Sequence, residues 1–147
     1  MMTDTAIVAL VVGIGAGVVT WQQWRVAKAK LKLDLFEHRY ALFDLLWEFM
    51  SRRVGDLNTV GEVHKNLQNS IPKFYFFFGE EIGEYVDTAV KRGIEQSIAH
   101  TVAQNPANAA IGNESATNLS QHYAWFSKEA IGLRVKFAKY LNFEEWS

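Results

Sequence analysis

The sequence predicts an all-α fold, on three observations. Apolar residues recur in steps of three and four over most of the chain, the period of one face of a helix. Only two prolines occur, Pro72 and Pro106, which favours long uninterrupted helices. No segment alternates at period two as a half-buried strand does, and no internal repeat is present.

The first element is the most distinctive. Ala6 to Val19 is an unbroken run of 14 apolar or glycine residues inside an uncharged window from Thr5 to Trp24. At a rise of ~1.5 Å per residue that window spans roughly 30 Å, the thickness of a bilayer's hydrocarbon core. Trp21 and Trp24 fall where an interfacial aromatic belt belongs. Arg25, Lys28, Lys30 and Lys32 follow, with no acidic residue among them. A cleavable signal needs its cations before the apolar run, and here the order is reversed. Residues 1–24 are therefore expected to be a single-pass anchor in the inner (cytoplasmic) membrane. The positive-inside rule places the N-terminus outside and residues 25–147 in the cytoplasm.

Ala9, Gly13 and Gly17, four residues apart, form a ridge of small side chains that lets two membrane helices approach. They are candidates for self-association, with a homo-oligomer as the expected product. Gly13, Gly15 and Gly17 also suggest a dinucleotide-binding turn. Val18 stands where that turn requires glycine or alanine, and no strand–helix alternation follows.

Past the anchor, Val26, Ala29, Leu33, Phe36, Tyr40, Phe43, Trp47, Met50 and Val54 make a continuous heptad seam. A second stripe, Leu31, Leu35, Leu42, Leu45 and Phe49, widens it into a broad face suited to a bundle. With no proline or helix-ending glycine before Gly55, one helix from Thr5 to Val54, about 75 Å long, is expected. Lys30 and His38 each lie four residues from Asp34 and are expected to pair with it.

Thr59 and Glu62 form a candidate capping box for a short helix over 59–70, which Pro72 should break. Five aromatics follow in a row, Phe74, Tyr75, Phe76, Phe77 and Phe78, closed by Gly79. Consecutive side chains point all round a helix, so these five cannot share one core face. They are expected to plug a junction at Pro72 and Gly79, and any left exposed to mark a partner groove or the membrane interface.

A third helix is expected over 80–104, with Ile82, Val86, Ala89, Ile94, Ile98 and Val102 inward and Glu80, Glu81 and Glu84 at its positive end. Residues 104–115 read as a loop. A last helix over 115–140 carries Leu119, Tyr123, Phe126, Ala130, Leu133, Phe137 and Tyr140 as a second heptad run. Together these segments predict a three- or four-helix bundle over 25–147.

The composition removes several function classes. A net charge of −1 gives no case for nucleic acid, and the absence of cysteine excludes disulfides and thiolate chemistry. No two of the four histidines lie three or four residues apart, so helical metal spacings fail. No nucleophile elbow or phosphate-binding loop is present. No catalytic residue, cofactor or metal ligand is therefore predicted, and the chain does not read as an enzyme. An enzyme would require carboxylates and histidines to converge, for example Glu81 or Glu84 on His122. His122 otherwise reads as a partly buried, hydrogen-bonded core residue.

Gln23-Trp24-Arg25 and Lys30-Leu-Lys-Leu-Asp-Leu-Phe-Glu-His-Arg-Tyr40 resemble the membrane edge and following helix of a group of small bacterial membrane-anchored proteins. Phe78-Gly79-Glu80-Glu81-Ile82-Gly83-Glu84-Tyr85 is similar to their second recurring segment, and His38 departs from a position that is basic in that group. The resemblance implies an anchor followed by a bundle and no activity. The expected function is a membrane-anchored helical scaffold or interaction module, whose partners are the lipid bilayer and an unidentified protein. The runner-up is an oligomerising, membrane-perturbing effector.

Overall fold

The computed structural model describes residues 2–105 and 112–142, with side chains from 4–105 and 116–142. Four helices follow one another: α1 (Met2–Gly55), α2 (Val60–Phe78), α3 (Glu80–Gln104) and α4 (Gly112–Leu141). A 3-10 turn, Leu57–Thr59, joins α1 to α2. The fold is all-α, and the three- or four-helix expectation resolves as four.

Each of α1 and α3 packs against both α2 and α4, so the helices form a closed ring. Contacts of Arg39 with Phe77 and of Arg53 with His64 run α2 antiparallel to α1. Contacts of Phe43 with Phe137 and of Phe49 with Phe126 do the same for α4. The result is an up-down-up-down bundle. Its core draws Leu46, Phe49 and Met50 from α1, Leu67, Phe74 and Phe78 from α2, Ile82 and Val86 from α3, and Phe126, Leu133 and Phe137 from α4.

α1 serves two environments. Every residue from Asp4 to Leu31 is exposed, whereas Leu42, Leu46, Phe49 and Met50 are buried. The helix thus projects from the bundle as one uninterrupted rod. Within the bundle its core face is Leu42, Leu46, Phe49, Met50 and Arg53, while Tyr40, Trp47 and Val54 of the expected seam stay exposed. The broad face won because α2 and α4, which flank it, cover more of α1 than the single partner of a two-stranded seam would. α3 is re-phased in the same way. Ile82, Val86 and Ala89 turn inward as expected, but beyond them the buried residues are Val90, Gly93 and Gln96, and Ile94 and Ile98 are left at the surface.

Three boundaries differ from expectation. α2 does not stop near residue 70: it continues through Pro72 and takes in all five aromatics. Pro72 lies on the exposed side of α2, and Phe74 and Phe78 hold the following turn in the core. The chain therefore turns at Gly79 alone, whose φ of 86° is a conformation that favours glycine. The Thr59–Glu62 capping box does not form. Asp56 caps the 3-10 turn instead, accepting from the Asn58 amide at 3.0 Å, and Thr59 donates to the Asp56 carbonyl. α4 begins at Gly112, inside the predicted loop, and Pro106 lies outside the described residues.

Candidate functional site

The exposed half of α1 carries one candidate surface. An 18-residue window of this helix has a mean hydropathy of 1.8 and no buried residue, long and apolar enough to cross a membrane. At its edge the guanidinium of Arg25 lies 5.0 Å from the Trp21 ring centroid, and Lys28 Nζ lies 5.3 Å from that of Trp24. Both are i,i+4 cation–π pairs, which place amphipathic rings and cations together in one band. Ala9, Gly13 and Gly17 are exposed, and a Cβ added to either glycine would meet nothing within 4 Å.

The end of the bundle nearest this rod is tied by Arg39. Its Nε donates to the Phe77 carbonyl at 2.9 Å and its Nη1 to the Tyr140 carbonyl at 3.4 Å. Those carbonyls belong to the last turns of α2 and α4, where helix dipoles favour a cation. The same guanidinium lies 5.7 Å from the Phe78 ring and 5.8 Å from the Tyr140 ring. Burial lowers its pKa, and Tyr140 acts in the opposite direction.

The aromatic run divides around this joint. Phe74 and Phe78 are buried, Phe77 is half-buried, and Tyr75 and Phe76 are exposed, Phe76 at 83%. Phe78 meets Phe137 edge-on at 5.0 Å and Tyr140 at 5.3 Å. His38 stacks on Phe77 at 5.6 Å, and the expected ion pairs of Asp34 with Lys30 and His38 are absent among the described residues.

At the far end the apolar core gives way to a polar network spanning three helices. Arg53 of α1 is 1% exposed. Its Nη1 donates to Ser97 Oγ of α3 at 2.7 Å, and its Nη2 meets His64 Nδ1 of α2 at 2.8 Å. Arginine has no acceptor, so Nδ1 must accept, and the His64 proton sits on Nε2. Ser97 Oγ in turn donates a hydrogen bond to the Gly93 carbonyl at 3.0 Å. Gln96 Nε2 donates to the Arg53 carbonyl at 3.0 Å, satisfying one of the free carbonyls at the end of α1.

The network is incomplete. Arg53 Nε and Gln96 Oε1 are buried without a partner, and no carboxylate pairs with Arg53 among the described residues. Burial draws the Arg53 pKa down to about 10. Burial, and then the Arg53 charge, lower that of His64. Gly93 is part of the arrangement: a Cβ there would stand 2.9 Å from Phe49 and 3.0 Å from the Arg53 guanidinium. Arg53, His64 and Ser97 line a cavity of about 550 Å³ whose walls include Val60, Ile94 and Ile98.

Sequence reasoning missed Arg39, Arg53 and Gln96. A signal for Arg53 existed, since it lies seven residues after Leu46 and four after Phe49, in phase with the core face. Residues the sequence singled out for acid–base work do not converge. Glu81 pairs with Lys139 at 2.8 Å, which lowers the carboxyl's pKa. His122 lines a shallow cleft with Glu95 of α3 and Asn118 of its own helix, and its Nδ1 is buried and unpartnered rather than hydrogen-bonded as expected. No cluster of three metal-ligating side chains exists among the described residues. Comparison of the chain with protein-family models, with curated proteins and with solved structures returned no match.

Proposed function

We propose that the chain is a single-pass membrane-anchored helical module that holds its bundle away from the bilayer and presents it to a partner. The observation that carries this reading is the division of α1. The same uninterrupted helix is fully exposed and apolar over its first half and core-forming over its last turns. A buried helix of a soluble protein would be covered along its apolar stretch, and this one is not. The aromatic–cation band at Trp21–Lys28 supports an interfacial edge there, with the bundle on the cationic, cytoplasmic side.

The test is fractionation with a topology reporter. The full chain should stay with membranes after alkaline carbonate extraction, and a reporter fused after Ser147 should be active only in the cytoplasm. A chain lacking residues 1–24 that still pellets with membranes would remove the anchor, and an externally active reporter would reverse the orientation.

A second reading is favoured by the open ridge of Ala9, Gly13 and Gly17. On it, anchors self-associate and the assembly perturbs the membrane. Replacing Gly13 and Gly17 by Ile should then reduce crosslinked oligomers to monomers, and unchanged crosslinking removes this reading.

A further inference from the structure

The Arg53 cavity contains a charge that no carboxylate among the described residues neutralises. A cation buried to this degree is ordinarily paired with an anion, because taking an ion out of water costs more than a few neutral hydrogen bonds return. Here its side-chain hydrogen-bond partners are a hydroxyl and a neutral imidazole, with the Phe49 ring face 5.0 Å from the guanidinium carbon. Larger hydrophobic side chains in that space would have closed it. Instead Gly93 makes room for the guanidinium, and Ser97 and His64 hold it at the inner end of an open cavity.

The size and lining of the cavity narrow the ligand. Its volume of about 550 Å³ falls within the range of small-molecule sites. Its walls are largely aliphatic, with Val60, Ile94, Ile98 and Val102 around one cationic end. A phosphate dianion would meet one positive charge and a wall that offers it little. We propose that this cavity binds a small organic monocarboxylate with an apolar body, its carboxylate against Arg53 and its body along Ile94 and Ile98. Ile98, 59% exposed, is open to contact with such a body. Neither the anchor nor its orientation enters this assignment.

The proposal is tested on the full chain in non-ionic detergent by calorimetry and thermal melting, with hexanoate, benzoate and palmitate as probes. Hexanamide, benzamide and inorganic phosphate serve as comparisons. At least one acid should bind saturably and raise the melting temperature. Its amide should bind at least about tenfold more weakly, the difference between a charge-assisted and a neutral hydrogen bond. Whether hexanoate and benzoate or palmitate binds tighter distinguishes a water-borne acid from a bilayer fatty acid.

Arg53→Gln should abolish the preference for acid over amide. Because that variant also disturbs the network, Ile98→Trp provides the second arm. It fills the cavity from an exposed position, so it should leave unliganded melting unchanged and abolish binding. Amides matching acids, phosphate outcompeting them, binding that survives Ile98→Trp, or no binding at all each overturns the proposal.

Discussion

Nη2 of Arg53 donates to Nδ1 of His64 across 2.8 Å, so a neutral imidazole is the acceptor for a buried cation. Protonating His64 would remove that acceptor and place a second positive charge beside the first. Burial, and then the Arg53 charge, hold the folded pKa of His64 below its ordinary value of 6.5. The unfolded chain therefore binds the proton more readily, and stability rises with pH across this window. The contribution is complete above about pH 6.5 and is lost as pH falls below it through the folded pKa. Urea midpoints of the wild type should fall between pH 7 and pH 5 more steeply than those of His64→Gln. Parallel slopes would show that His64 titrates as it does in the unfolded chain.

Arg39 joins the ends of α2 and α4 to α1 through the Phe77 and Tyr140 carbonyls. Arg39→Met keeps much of the apolar stem and removes both bonds. It should cost about 1.5–3 kcal/mol in chemical denaturation, the range for hydrogen bonds to a charged group. Arg39→Lys should recover part of the loss, because an ammonium can reach one carbonyl but cannot fork to two.

Two glycines in the bundle should respond in opposite directions. A Cβ on Gly83 would run into the Tyr75 ring, whereas one on Gly132 would meet nothing within 4 Å. Gly83→Ala should destabilise by about 1–3 kcal/mol as the ring is displaced. Gly132→Ala should stabilise by about 0.5–1 kcal/mol, because it restricts only the unfolded chain. In a double-mutant cycle Tyr75→Ala should remove most of the Gly83→Ala penalty. Additive effects would place that penalty elsewhere.

Pro72 sits inside α2 and leaves one turn without its hydrogen bond. Pro72→Ala should raise the denaturation midpoint by the equivalent of about 1–3 kcal/mol, since alanine supplies the missing donor and fits the helix. A midpoint that falls would mean that proline's restriction of the unfolded chain outweighs the lost bond.

The helices were legible because periodicity reports burial directly. The α4 run Phe126, Leu133 and Phe137 is buried as its spacing requires. Phase was harder to read. Tyr40, Trp47 and Val54 repeat as regularly as Leu42, Leu46 and Phe49, and only the number of neighbouring helices decides which set turns inward. Pro72 misled because a local preference was overridden by two buried phenylalanines a few residues on. Arg53 and Gln96 were hidden for a different reason. A polar residue in phase with a core face looks like the edge of that face until other helices receive it, as Ser97 and His64 receive the Arg53 guanidinium and the Arg53 carbonyl receives Gln96.

The unbroken course of α1 has one more consequence. With its first half anchored as proposed, the 28 residue steps from Arg25 to Arg53 hold the cavity about 42 Å along the helix. A disordered tether of that length would average about 30 Å end to end and would fold back freely onto the surface. The rod therefore confines the bundle's search to a thin layer at one elevation. Solutes and partners that reach that elevation meet the bundle often, and those that lie flatter pass beneath it.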